Sequence, residues 1–273
     1  LVTDMLRIAL GVEYVGTKYS GWQSQISQPG IPSVQAELER AISLVAAHPI
    51  KTVCAGRTDA GVHACGQVVH CDVEVARDPC AWVHGCNRYL PRDIRVLWMH
   101  NVPADFSARY AATQRHYKYV VYNNPIRPSL LGDYVGWYYY PVKTEPMLQA
   151  SRCWIGKHDF SSFRAAGCQS KTAVREVKMI SIESRGEMII IDIIADAFLY
   201  HMVRNMVGVL LQIGSGKHPV EWAQQVLVAR CRAKAGITAP PQGLYLNAVR
   251  YPEHLGIPQQ QSGLWFFNQG LSI

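Results

Sequence analysis

Residues 6–14, LRIALGVEY, alternate between apolar and other positions. Leu6, Ile8, Leu10, Val12 and Tyr14 fall on one side of an extended chain, the period-two mark of a half-buried strand. Beyond a glycine-containing loop the period lengthens. Ser33 stands where a helix N-cap belongs, and Val34, Leu38, Ala41, Ile42 and Val45 trace one helical stripe. KTVCA (51–55) and QVVHCDV (67–73) read as strands on either side of a loop of small residues. WVHGCNRYL reads as a short helix and IRVLWMHNV as a strand. RHYKYVVYN (115–123) is a further strand, with Tyr117, Tyr119 and Val121 on one face. A helix around 145–155 follows, then two strands, VREVKMISIESR and EMIIIDIIAD, with Gly186 in the turn between them. A long apolar helix is expected over 197–213 and a second over VEWAQQVLVARC, and LYLNAVRY closes with a strand. The tail from Pro258 shows no period and reads as irregular.

Strands and helices therefore mix twice, with a change near residue 110. The simplest architecture is α+β, in two units that each carry a sheet with helices on one side. The expected division is an N-terminal unit over 1–110, a C-terminal unit over 111–257 and a tail over 258–273.

Composition narrows the partners more than the fold. Of 273 residues, 49% are hydrophobic and 17% charged, which fits a globular chain rather than a disordered one. The formal net charge is +7, with Lys and Arg spread along the chain, and this suits a folded protein that meets a polyanion. No apolar run is long enough to cross a bilayer and no leader opens the chain, so the expected location is the cytoplasm. Eight cysteines with no C-x-x-C spacing read as free thiols, Cys54 and Cys65 among them as core.

The stretch AGRTDAGVHACGQVVH (55–70) carries one acid, Asp59, and one base, Arg57, between Gly56 and Gly61. An Asp in such a loop often serves only its own turn. The helix expected over 197–213 makes a second reading attractive, because its one formal charge is Arg204. A guanidinium amid apolar surface needs an anion. Asp192, Asp196, a substrate phosphate and Asp59 are the candidates, and an Asp held by Arg stays ionised as a base or nucleophile. Tyr117, flanked by Arg115 and Lys118, is either sheet surface or a platform for an unpaired base. Other chemistry fails on spacing. GSGK (214–217) lacks the upstream Gly of a phosphate loop and has His218 where Ser or Thr would bind Mg²⁺. His63, Cys65, His70 and Cys71 lack the H-x-E and P-C-x-x-C of a zinc deaminase, so no metal is expected.

GRTDAGVHACGQVVH resembles the catalytic loop of the pseudouridine synthases, and in detail that of the TruA family of tRNA pseudouridine synthases. GTKYSGWQSQ, DFSARYAATQRHYKYVVYN, HDFSSFRAAG, AFLYHMVRNMVG and GLYLNAVRY resemble further family segments in the same order. Ser107 departs from the His that relatives often carry in DFSARY. The resemblance implies two ferredoxin-like α/β units with mainly antiparallel sheets, the pseudouridine synthase fold. It implies an isomerase converting uridines 38, 39 and 40 of the tRNA anticodon stem-loop to pseudouridine by base flipping, as a homodimer without metal or cofactor. Asp59 matches the catalytic aspartate, Arg57 the arginine that helps hold the flipped nucleotide, and Tyr117 the tyrosine that packs on the target base. Arg204 matches the arginine that pairs with the aspartate, and Leu244 the leucine lining the base pocket. The rival classes are a non-catalytic RNA-binding protein on the same fold and a hydrolase that releases free uracil.

Overall fold

The computed structural model describes residues 5–23 and 32–258. The chain divides into two compact units. One runs to Thr113 and resumes at Leu246, and the other is Gln114–Tyr245. The sequence-based division at 110/111 differs from this in placing residues 111–113 and 246–257 with the second unit. The tail call lies outside the described residues except for Pro258.

In the first unit, β1 spans Leu6–Tyr14. α1 (Val34–Ala46) begins where Ser33 Oγ accepts the Ala36 N–H at 3.2 Å, satisfying one of the open donors of the first turn. β2 (Val53–Cys54) and β3 (His63–Val73) flank the Asp59 loop. α2 (Pro79–Tyr89) starts earlier than its apolar run suggests, because Asp78 Oδ1 caps Cys80 N at 2.8 Å with Pro79 in the first turn. β4 is Ile94–Asn101. The strands order β4-β1-β3, with β2 paired to β3, and these pairings are antiparallel. α2 packs on β4 and α1 on α2, where Val45 lies against Gly85. β1 is not half-buried as its alternation predicts. Ala9 and Gly11 on the other face are also buried, and the Trp98 indole occupies the space a side chain at Gly11 would need.

In the second unit, β5 (Gln114–Asn123) pairs in parallel with a short β6 (Gly136–Tyr138). α3 (Thr144–Ser151) runs into a 3-10 turn ending at Trp154, and β7 is Gly156–Asp159. β8 (Val174–Arg185) and β9 (Met188–Ala195) form a hairpin whose turn places Gly186 at φ 58°. The strands order β5-β9-β8-β7, antiparallel throughout. α4 (Met202–Gly214) and α5 (Trp222–Ala229) follow. β10 (Leu244–Arg250) begins here, and its residues from Leu246 lie beside β3 in the first unit. α3 packs against α4 and β8.

The helix expected over 197–213 starts five residues late. Asp196 Oδ1 accepts the N–H groups of Ala197 (2.7 Å) and Glu176 (3.0 Å), and Arg115 bonds the Asp196 carbonyl at 2.9 Å. The Tyr200 carbonyl accepts from Ala165 N at 3.0 Å, and His201 sits at φ 60°, outside helical geometry. The apolar pattern runs through this turn because Leu199 is buried there for tertiary reasons. No helix among the described residues is long and apolar enough to cross a membrane.

Candidate active site

In the first unit, pairing of β2 with β3 ends at Ala55 N to Val68 O, 2.8 Å. The chain then leaves the sheet through Gly56, Arg57, Thr58 and Asp59 and returns by a turn closed from Val62 N to Asp59 O at 3.1 Å. The turn carries Gly61 at φ 77°. β3 opens at His63, four residues before the strand read from the sequence, so the second half of the motif is sheet rather than loop. Thr58 is buried and held twice. Its Oγ1 meets Tyr14 Oη at 2.7 Å, and its carbonyl accepts Trp22 N–H at 3.0 Å. The loop after β1 presses close. Gly16 N donates to His63 Nδ1 at 2.9 Å, and Gly21, at φ 101°, has no room for a methyl group beside the Thr58 carbonyl. Asp59 is half-buried and Arg57 exposed, on a backbone that these bonds hold in place. Burial pushes the nearby Cys54 thiol up to about 11, and the positive charge of Arg57 opposes that rise. Ser107 caps a short turn, accepting from Tyr110 N at 3.4 Å.

In the second unit, Tyr117 on β5 is buried, and its ring meets Phe198 edge-on. Phe198 is half-exposed and lies before α4, not on the buried stripe to which its spacing assigns it. Met202, Met206, Val209 and Ile213 are buried as expected. Arg204 is half-buried in the first turn of α4. Its Nε donates to the Ala239 carbonyl at 2.8 Å, and Ala239 N returns a bond to the Arg204 carbonyl at 3.1 Å. Asp192 is instead engaged by His116 Nε2 (2.5 Å) and Lys118 Nζ (3.4 Å). Asp196 serves backbone N–H groups. Burial raises the Tyr119 hydroxyl well above its usual range, and the Arg204 charge opposes that shift. Leu244 is buried at the start of β10. The preceding Gly243 leaves no space for a side chain beside Tyr119, Val120 and Gly136, which fixes where Leu244 enters. Among the described residues, no group of three or more His, Cys, Asp or Glu side chains is placed to hold a metal ion.

Sequence reasoning missed Phe198 as a neighbour of Tyr117, and it missed the buried set of Tyr14, Thr58 and Gln67 behind Asp59. The signal for the second was a glutamine in an otherwise apolar strand run, since a buried amide needs partners.

Comparison with known proteins defines the class first. A family model described as tRNA pseudouridine synthase matches residues 11–111 and 150–252, blocks that include Asp59 and Arg204. tRNA pseudouridine synthase A of Pseudomonas aeruginosa is 50% identical over 262 residues, covering 96% of this chain and 91% of that protein. The enzyme of the same name from Coxiella burnetii (strain Dugway 5J108-111) is 50% identical over 263 residues, covering 96% and 99%. That from Shewanella amazonensis is 51% identical over 261 residues, covering 96% and 99%. The chain belongs to the TruA family of tRNA pseudouridine synthases, isomerases that convert uridine to pseudouridine in tRNA.

Proposed function

We propose that this enzyme isomerises uridines 38, 39 and 40 of the tRNA anticodon stem-loop, with Asp59 as the carboxylate that acts on the ribose. The observation carrying this reading is the Asp59 loop. A carboxylate is presented on a backbone anchored at Gly56, Thr58 and Val62, which is what a group that must meet one carbon atom requires.

The reaction breaks the bond from uracil N1 to ribose C1′ and makes one from C5 to C1′, with no net gain or loss of atoms. A stacked uridine leaves the helix first, at a cost of a few kcal/mol. Stacking on Tyr117 and charge contact with Arg57 offset that cost. As uracil departs with its electrons, the ionised Asp59 either adds to C1′ or removes the C2′ proton, and both routes need the carboxylate charged. Arg204 has the role of keeping it so. Tyr117 and Leu244 wall the pocket in which the free base turns before C5 bonds to C1′ and loses its proton. The net charge of +7 supports a tRNA grip through phosphates and shape. The family resemblance supports a homodimer working in the cytoplasm without metal or cofactor.

The test is Asp59→Asn, assayed by release of tritium from C5-labelled tRNA and by position-resolved pseudouridine mapping. The expected variant binds tRNA and forms no pseudouridine. A normal rate of modification in that variant would end the assignment, and free uracil among the products would mark a hydrolase instead.

A further inference from the structure

We infer that Gln67 is a positioning residue for the reaction, acting on Asp59 through the backbone of its loop. The inference rests on the reading of Asp59 as the reacting carboxylate.

Gln67 lies on β3 opposite Val12 of β1 and is completely buried. A carboxamide without solvent must satisfy its donors and acceptor inside the protein. Its partners all belong to the Asp59 loop or to what holds that loop. Nε2 donates to the Gly56 carbonyl at 2.6 Å, and Oε1 accepts the Gly56 N–H at 3.4 Å. The second hydrogen of Nε2 points at Tyr14 Oη, 3.4 Å away. The β2–β3 backbone ladder ends one residue earlier, at Ala55. The side chain of Gln67 therefore takes over as a strand's peptide group would, pairing both polar groups of Gly56 just where the main chain diverges.

Tyr14 is the second half of the device. Its hydroxyl is shared between Gln67 Nε2 and Thr58 Oγ1, so one amide links the anchors at Gly56 and Thr58. Asp59 follows immediately, and its own carbonyl is held by Val62 N. Displacing Gly56 moves the start of a segment only three residues from the carboxylate, and misplacement by about 1 Å costs on the order of a hundredfold in rate. Gln67 is itself sealed from substrate, so its effect falls on the chemical step and not on tRNA binding.

The experiment compares Gln67→Leu and Gln67→Glu with wild type and with Asp59→Asn, by single-turnover pseudouridine formation, tRNA affinity and melting temperature. Gln67→Leu is expected to lose about 10–100-fold in the single-turnover rate constant, with affinity changed less than about threefold. Gln67→Glu supplies the diagnostic readout and guards against a Leu variant that fails to fold. A buried glutamic acid titrates well above its usual range, up to about 8–9. Its protonated form donates to the Gly56 carbonyl and accepts from the Gly56 N–H, as the amide does. The variant-to-wild-type rate ratio should approach one near pH 6 and fall as pH rises, while affinity stays level. A ratio flat with pH, or a Gln67→Leu rate equal to wild type, would overturn the inference. If Asp59→Asn is inactive while both Gln67 variants behave as wild type, this inference alone falls. If Asp59→Asn turns over normally, the reading of Asp59 falls with it.

Discussion

The ring of Phe198 stands edge-on to the ring of Tyr117, with centroids 4.9 Å apart and planes at 81°. Phe198 lies in the turn before α4, so the turn that delays the helix also steadies the aromatic on β5. An edge-to-face pair contributes about 0.5–1.5 kcal/mol beyond its buried area and fixes ring orientation. If Tyr117 stacks the uracil by its face, Tyr117→Phe keeps most of the activity. Tyr117→Ala loses the stacking, worth about 1–3 kcal/mol per base, or on the order of 10–100-fold in rate. Single-turnover assays of both variants decide this, and equal losses would shift the role to the hydroxyl.

Gly21 touches the Asp59 loop from the first unit's other loop. Its φ is 101°, and an added Cβ would lie 2.8 Å from the Thr58 carbonyl oxygen and 3.0 Å from Ala60 N. Gly21→Ala therefore combines left-handed strain, about 1–3 kcal/mol, with a push on the loop at Thr58. The expected variant melts several degrees lower, at about 2–4 °C per kcal/mol for a chain of this size. Its activity at 25 °C should fall further than the unfolded fraction explains. Wild-type melting together with wild-type turnover would show that the contact is slack.

Arg7 and Asp72 form a two-point pair between β1 and β3, Nε to Oδ1 at 2.6 Å and Nη2 to Oδ2 at 2.8 Å. The hydrogen bond to Arg7 holds the Asp72 carboxyl below its usual range. A depressed carboxylate stabilises fully above its unfolded pKa, about 3.9, and that contribution fades as pH falls through the lower folded value. The Asp72 side chain is 39% exposed, so solvent screening keeps the pair below about 1 kcal/mol. Urea denaturation of Asp72→Asn should show a small deficit at pH 7 that shrinks progressively as pH falls below about 4. A deficit unchanged across that range would assign it to packing.

How much of this could be read in advance depended on whether the cause was local. Ser33 signals its helix because the cap and the donor it satisfies are three residues apart, and β8 and β9 announce themselves as two strand-forming runs on either side of Gly186. β6 and β7, three and four residues long, carry too little pattern to detect. Alternation misjudged the burial of β1 because Trp98 covers its other face at Gly11, and it gave no sign that Lys118 on β5 is buried beside Asp192. Asp59 was legible as a motif. Gln67, Tyr14 and Thr58 were not, since they meet only across 53 and 44 residues of chain.

A net charge of +7 makes phosphate contact the natural source of tRNA affinity. Each neutralised phosphate adds about −0.7 to −0.9 to the slope of log affinity against log salt. With about four contacts, affinity should drop on the order of a hundredfold from 50 to 200 mM salt. Filter binding across that range measures the slope, and a level curve would remove phosphate contacts from the reading. Asp59→Asn should give the same slope, because its proposed work begins after the tRNA is bound.

Arg204 offers the last discrimination, because its two ends do different work. Nε is committed to the Ala239 carbonyl, and the loop at Ile237–Ala239 lies tight on α4, where Gly208 leaves no room for a Cβ beside the Ile237 oxygen. That end is structural. The role proposed for the rest of the guanidinium is to keep the Asp59 carboxylate ionised and aimed, which needs a planar fork as well as a charge. Arg204→Lys keeps the charge and loses both the fork and the Ala239 bond. It should retain tRNA affinity, melt slightly lower and react about tenfold or more slowly, with Arg204→Ala slower still by a further factor of about ten. The Ala239 end can be perturbed separately. Ala239→Gly loosens the loop without touching the guanidinium, so it should lower melting temperature and leave the single-turnover rate within about twofold. If Arg204→Lys and Ala239→Gly lose stability alike and both keep the wild-type rate, Arg204 is a strut of the second unit and has no part in the chemistry.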